Sequence, residues 1–352
     1  MSVQNLQVDL EQMSVAGIDA SKSAMDLNYV ELPLLRAMTA AHGKGKPSRA
    51  GGHKWMQSFK VGTHSSPTAR RTGYEPLNLT FSNIMANMNM DIAEIVYPVG
   101  ISAKEIDENS GPTKAMDLAG ERTDLVMNKA MRDFETQMLV GGVSAWEDFY
   151  SLNGIEEADG FLEGLAPGSQ NNVIGGFSKA TYASLPGAQN QMFDVNNQFN
   201  TLGKLGLQTL HTRIRARSST TRKPCVIASE NCFNNYKRTL ETNEYYKVAS
   251  GNESLDGVNM NLQVDGNKMQ PSTYLGEYTL SGANRMSAVL LDLASLYFMW
   301  SKTAKRDGNF KFHDFKPLGG EYDVFVAQIL IRGQLWAKNF ASSGVLLNAE
   351  TF

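Results

Sequence analysis

The sequence predicts an α+β protein, and three observations carry that reading. One is a long amphipathic helix pattern at Pro112–Val140. Another is a pair of strand-like runs ahead of it, Lys54–Gly62 and Met90–Ser102. The last is a pair of strongly apolar runs near the C-terminus, Ala288–Trp300 and Asp323–Trp336. At 352 residues with 42% hydrophobic content, the chain can build two domains or one elaborated domain around a substantial core. No apolar run approaches the roughly 20 residues that span a bilayer. Met1–Leu10 has neither a basic start nor an apolar stretch, so no signal peptide is expected. A net charge of −3 is not the basic balance of a dedicated nucleic-acid binder.

Residues 1–52 are polar and weakly periodic. Only Tyr29–Met38 is apolar, and Pro33 interrupts it; His42–Gly52 has the glycine, proline and basic content of a linker. Such an arm needs something outside its own domain to hold it, and a neighbouring subunit is the simplest candidate. In Ala93–Ser102, Ile95, Tyr97, Val99 and Ile101 alternate with Glu94, Val96, Pro98 and Gly100, the period of a half-buried strand. Pro98 cannot donate to a ladder, which places this strand at an edge. Between the two runs lie the basic tip Thr63–Gly73, with Arg70 and Arg71, and the Asn/Met-rich Asn83–Asp91. A hairpin that long has little of its own to pack against, so a partner on another subunit is expected. Ser102–Pro112 reads as a turn-rich hinge.

In Pro112–Val140, Lys114, Asp117, Glu121, Asp124, Asn128, Arg132 and Glu135 form a polar face. Ala119, Met127, Ala130, Met131, Phe134 and Met138 lie opposite. Pro112 suits the first turn and Gly141-Gly142 the end. Residues 151–198, rich in Gly, Asn and Gln, read as short extended pieces between turns. Asn200 is a candidate N-cap for a helix to Arg217, whose basic end suits the helix dipole. Pro224–Ser229 reads as a buried strand, with Ser229 capping a helix over Glu230–Glu241 whose apolar face is Phe233, Tyr236 and Leu240. Asp256-Gly257 and Asp265-Gly266 are hairpin turns. Ala288–Trp300 and Asp323–Trp336 read as central strands, with a last short strand at Val345–Leu347.

Motifs for chemistry are missing. Gly43-Lys44-Gly45-Lys46 lacks the spacing and preceding strand of a phosphate loop, and there is no GxGxxG, HExxH or GxSxG. His42, His53 and His64 are eleven residues apart with no cysteine or clustered carboxylate nearby, which reads as surface histidine. Cys225 and Cys232 match no zinc spacing and read as free thiols, partly buried. The acidic pairs Asp91/Glu94 and Glu105/Glu108 read as strand-end and helix-start charge. The basic cluster Arg213, Arg215, Arg217, Arg222 and Lys223 lacks interleaved aromatics for base stacking; dipole-complementing charge or a salt bridge to a neighbouring subunit also accounts for it. No catalytic, cofactor-binding or metal residue is expected.

The order of parts is arm, extended loop, long helix, Gly/Asn-rich stretch, helix–strand–helix and apolar C-terminal strands. Together with Pro224–Leu240 (PCVIASENCFNNYKRTL), it resembles the major capsid protein of tailed bacteriophages, the Johnson fold of Hong Kong 97 type, which encapsulin compartments share. The resemblance implies an N-terminal arm (1–52), an extended loop (53–104), a peripheral domain with a spine helix (105–194), an axial domain (195–320) and return strands of the peripheral domain (321–352). It implies a non-enzymatic subunit without cofactor that assembles with itself as hexamers and pentamers into an icosahedral shell around double-stranded DNA. Scaffold, portal and decoration proteins would be its partners, and no membrane is involved. The shell would form in the host bacterial cytoplasm and end as the virion. The extended loop would cross a neighbour's spine helix, making Arg70, Arg71, Trp55, Lys114, Glu121 and Asp124 inter-subunit contacts. No acidic helical scaffold segment is present, so scaffolding would come from a separate protein or a segment already lost. The alternatives are an encapsulin-like shell around a cargo enzyme and an unrelated cytosolic α+β enzyme.

Overall fold

The computed structural model describes residues 31–42, 48–50, 52, 54–61, 84–108, 118–154, 160–218, 224–243, 262–275, 285–302, 310–318 and 323–352. Arg70, Arg71, Lys114 and the Asp256-Gly257 turn lie outside them. In chain order the strands are β1 (Ser48–Arg49), β2 (Lys54–Lys60), β3 (Met85–Asp91), β4 (Ala93–Ser102), β5 (Val173–Ile174), β6 (Phe177–Ser178), β7 (Gln191–Asp194) and β8 (Cys225–Ser229). They continue as β9 (Gln263–Val264), β10 (Asn267–Ser272), β11 (Met286–Leu291), β12 (Leu296–Ser301), β13 (Lys311–Pro317), β14 (Val324–Ala337) and β15 (Gly344–Leu347). The α-helices are α1 (Pro33–His42), α2 (Ala103–Glu108), α3 (Leu118–Leu139), α4 (Lys204–Arg217) and α5 (Glu230–Asn243).

Two sheets organise this mixed α+β architecture. The first is built on β14, a 14-residue strand that holds β4 along one side and β12 and β13 along the other. β1 adds to β12 in parallel. As its alternation predicts, β4 buries Val99 and Ile101 and exposes Glu94, Val96, Pro98 and Gly100; among the described residues β14 is its one partner strand, which fits Pro98 at an edge. The second sheet runs β7-β15-β11-β8-β10-β9. Its centre, β8 and β11, is buried along nearly its whole length, as the continuous apolar sequence requires.

Several expectations need correction. β2 pairs with Met85–Asp91, not with Met90–Ser102. The Asn/Met segment alternates as a strand, burying Met88 and Met90 and turning Asn87, Asn89 and Asp91 outward. After Ile92 the chain enters the other pairing, on β14. Ala288–Trp300 is two strands in two sheets, because Asp292 folds the chain between them. Its Oδ1 accepts from the Ala294 N–H at 3.1 Å, its Oδ2 from the Ser295 hydroxyl at 3.0 Å, and its carbonyl from Leu296 N–H at 2.9 Å. Consequently β12 and β13, expected with the axial part, belong to the β14 sheet, and β15, expected with the return strands, completes the six-stranded sheet. Asn200 is no N-cap: it sits inside a wider π-type turn, Phe199–Gly203, that runs directly into α4.

Other local signals hold. The hydroxyl of Ser229 accepts from the Cys232 N–H at 3.2 Å, capping α5. Asp265 and Gly266 take φ of 49° and 79° and turn β9 into β10, a left-handed pair that Asp-Gly favours. The 22 described residues of α3 span roughly 33 Å at 1.5 Å each. The C-terminal half of α3 carries most of its buried residues. There Phe134 lies 5.0 Å from Phe298 and stacks on Trp300 at 5.9 Å. Glu135, placed by its spacing on the polar face, is fully buried.

Candidate functional site

The expected hallmarks of function were surfaces, and the structure separates them into fixed and free faces. The β2–β3 ribbon packs one face on its own chain. Trp55 is 4% exposed and meets Trp336 edge-on at 6.3 Å, and Phe59 lies 4.9 Å from Phe177. The Trp55 ring is therefore taken up inside its own chain, and the ribbon's base has a partner there after all. The other face carries the Lys54–Asp91 ion pair at 3.2 Å and two methionines, Met56 and Met85, that are more than half exposed.

On α3 the N-terminal half is the free part. Asp124 and Lys129 are exposed, Glu121 is half-buried, and Leu125 is 49% exposed. This end is anchored beneath by a clamp that the expected hinge does not suggest. Ser102 and Glu105 form a reciprocal capping box: Ser102 N–H donates to Glu105 Oε2 at 2.9 Å, and Glu105 N–H to the Ser102 hydroxyl at 3.2 Å. Arg122 then donates to both Glu105 oxygens, at 3.0 and 2.8 Å. Burial pushes the Glu105 pKa up, but hydrogen bonds from Arg122 and Ser102 and the charge of Arg122 outweigh it and hold the carboxyl below its ordinary value. Four hydrogen bonds thus tie down the Ser102–Glu105 end of the expected hinge, and its part beyond Glu108 lies outside the described residues.

The Gly/Asn/Gln-rich stretch builds a polar core. Lys179, fully buried, donates to the Phe161 carbonyl at 2.8 Å and Asn190 Oδ1 at 3.1 Å and pairs with Glu163 at 3.4 Å. Burial lowers its pKa to about 8 against the pull of Glu163. Glu163 in turn accepts from the Asn171 and Asn172 N–H groups, both at 2.8 Å. Sequence reasoning missed this lysine. The signal available was the density of buried-amide formers around it, since loops without a ladder must satisfy their backbone through side chains.

Candidate chemical groups do not converge. Among the described residues no three His, Cys, Asp or Glu side chains are grouped to hold a metal. His211 is buried and spoken for, Nδ1 at 3.1 Å from Asp265 and Nε2 at 2.7 Å from Asn267. Burial raises the Cys225 thiol to about 12 and pushes Cys232 higher, so neither is a ready thiolate. Two open hollows, ≈ 360 Å³ beside His313 and Glu94 and ≈ 800 Å³ beside Glu147 and Gln334, hold no nucleophile bonded to a base. Arg213, Arg215 and Arg217 are exposed on α4, and Arg222 and Lys223 lie outside the described residues.

The arrangement as a whole matches known structures from end to end. A chain of the cyanophage A-1(L) capsid asymmetric unit aligns with a TM-score of 0.64 at 14% identity, covering 97% of this chain and 99% of that one. This is the Johnson fold. The capsid of the native GTA particle matches at 0.54 and 10% identity, with 95% of each chain covered. The holo-SrpI encapsulin complex from Synechococcus elongatus PCC 7942 matches at 0.52 and 12% identity, covering 99% of this chain and 95% of that one. No family model and no curated protein matches the sequence. The Johnson fold here rests on architecture, at identities where side chains are almost wholly exchanged.

Proposed function

We propose that this chain is a major capsid protein that self-assembles into an icosahedral shell enclosing the double-stranded DNA of a tailed phage. The observation that carries the reading is the near-complete two-way coverage against the cyanophage capsid chain. A subunit of this kind works by geometry, not catalysis: a head-to-tail contact that closes by rotation makes rings, and rings tile a container. α3 serves as the spine helix, residues 53–91 as the extended loop, the β14 sheet with β4 as the peripheral domain and the six-stranded sheet as the axial domain. Arg70 and Arg71 at the loop tip meet a neighbour's spine helix, where Lys114, Glu121 and Asp124 lie. Obligate contacts of this type bury roughly 2,000 Å² or more per pair. Scaffold and portal proteins complete assembly in the host cytoplasm, and DNA is met without base readout, by weak salt-dependent contact.

The test is deletion of Thr63–Gly73. Its expected outcome is a soluble, folded subunit that forms no shells by electron microscopy, and normal shells would sink the loop assignment. The encapsulin match supports a second reading, a compartment around a cargo enzyme. Particle content separates the two: double-stranded DNA fits the virion, a co-purifying enzyme fits the compartment.

A further inference from the structure

The polar core around Lys179 is closed to any substrate, so chemistry there runs between its own groups. Lys179 and Asn190 are fully buried and Glu163 nearly so. The Lys179 Nζ lies 3.1 Å from Asn190 Oδ1, one bond from the amide carbon Cγ, and 3.4 Å from Glu163 Oε1. The same Oδ1 accepts from the Glu163 N–H at 3.0 Å, while Asn190 Nδ2 donates to the Glu163 carbonyl at 2.9 Å. The amide is thus held in place and its carbonyl polarised by a backbone donor. The Phe340 ring closes one side, its centre 5.5 Å from Nζ. An amine, an amide carbon and a carboxyl held together away from water are the parts of an amide-forming reaction. We propose that Lys179 and Asn190 become covalently joined, Nζ to Cγ, with Glu163 carrying the protons.

The ion-paired core is the starting state. Glu163 takes a proton from the Lys179 ammonium, and the freed amine attacks Cγ of Asn190. Oδ1 gathers negative charge at the tetrahedral centre, where the Glu163 N–H already points. A second Nζ proton passes by way of the Glu163 carboxyl to Nδ2. One C–N bond forms, the Cγ–Nδ2 bond breaks, and ammonia leaves. Glu163 keeps the first proton, so the buried ion pair becomes a neutral acid beside a neutral amide, and nothing is oxidised or reduced. Burial favours the free amine, lowering the Lys179 pKa to about 8 against the pull of Glu163. Holding both partners in contact turns a bimolecular condensation into a unimolecular one.

The bond would sit at a structural junction. Lys179 directly follows β6, and Asn190 directly precedes β7, the edge of the six-stranded sheet. The β5–β6 hairpin holds the β2–β3 ribbon, through the Asn89 N–H to the Gly175 carbonyl at 2.8 Å and through Phe177 against Phe59. A link from Lys179 to Asn190 fastens the support of that ribbon to the sheet within a single chain.

The experiment is mass spectrometry on the full-length chain, freshly purified and after incubation. The wild type should come to weigh less than its sequence by one ammonia. A chymotryptic digest should hold a branched peptide joining Ser178–Tyr182 to Ala183–Phe193. Lys179→Arg should keep its full mass, and so should Glu163→Gln, which cannot carry the proton. The proposal is overturned if the wild type keeps its full mass, if the lost ammonia maps elsewhere in the digest, or if Lys179→Arg loses it too. A branched peptide from Glu163→Gln would overturn the role of Glu163. Each readout lies within one chain, so it stands or falls apart from shell formation.

Discussion

Two buried glutamates in this molecule receive the same pair of backbone donors and live in opposite circumstances. Glu163 accepts from Asn171 and Asn172 and also holds Lys179, itself fully buried. Glu135 accepts from Leu34 and Leu35 with no cation beside it among the described residues. Desolvating a carboxylate is costly, and only a partner in good geometry offsets it. The first site is therefore a permanent strut in the loops of residues 160–190. The second is a carboxyl that burial pushes up to about 7 in spite of its two N–H bonds. The polar core and the Glu135 site differ in one counter-ion.

The largest expected effect comes from removing that counter-ion. Lys179→Ala leaves Glu163 buried and uncompensated, and should cost about 3–5 kcal/mol. Urea denaturation would show it as a large fall in the midpoint without much change in slope. The double variant Lys179→Met/Glu163→Gln should recover much of the loss, since a neutral amide can still accept from one of the backbone donors. If the single variant stays within 1 kcal/mol of wild type by the same assay, on the order of a surface pair, the strut reading fails.

The Glu105–Arg122 clamp sharpens the comparison, because it is a paired carboxylate at the other end of α3 with the opposite pH sign. Its folded pKa is depressed, so its contribution is present above the unfolded carboxyl value and is lost as pH falls through the folded one. The folded pKa of Glu135 is raised instead, so its contribution to folding is present below the unfolded carboxyl value and is lost as pH rises toward about 7. Acidification below the ordinary carboxyl value should therefore loosen the Ser102–Glu105 corner, and hydrogen exchange corrected for intrinsic rates should show protection of that segment falling with pH. Arg122→Ala should cost about 1.5–3 kcal/mol, the range for hydrogen bonds to a charged group, and should remove the acid sensitivity of the corner alone.

These sites also mark where the sequence was legible. The period-two alternation of Ala93–Ser102 placed each β4 side chain on its observed face, because one face of that strand is wet and the other dry. Asp265-Gly266 named its own turn, since the left-handed backbone is a local demand. Pairing was harder. Asn83–Asp91 looked like loop chemistry, and its strand character depends on Met88 and Met90 finding a core that only the folded chain provides. Ala288–Trp300 looked like one strand, but a single Asp292, accepting from Ser295 nearby and from Ser218 across the fold, cuts it in two. Glu135 sat on the polar stripe of α3 by spacing. Its partners are on α1, a hundred residues upstream, and no helical period carries that information. The loop tip and spine contacts proposed for assembly were visible as polar chemistry, but a partner on another chain leaves no mark in the sequence of one.

The smallest effect on stability belongs to the exposed half of α3, and there the contrast turns from folding to assembly. Asp124 is exposed and Glu121 half-buried, with no pairing that anchors the core. Replacing both by alanine should change subunit stability by less than about 0.5 kcal/mol, as expected for surface positions. On the capsid reading the same change removes the acidic face that the Arg70–Arg71 tip of a neighbouring loop meets, so shell yield should fall while the melting profile is unchanged. Charge reversal at both ends, Arg70→Glu and Arg71→Glu with Glu121→Lys and Asp124→Lys, should restore shells if the contact is electrostatic, because a swapped pair keeps the attraction that either half alone turns into repulsion. Shells at wild-type yield from the alanine variant would place the loop on some other surface of the neighbour. A fall in stability matching that of Lys179→Ala would show the helix face to be part of the fold, not of the interface.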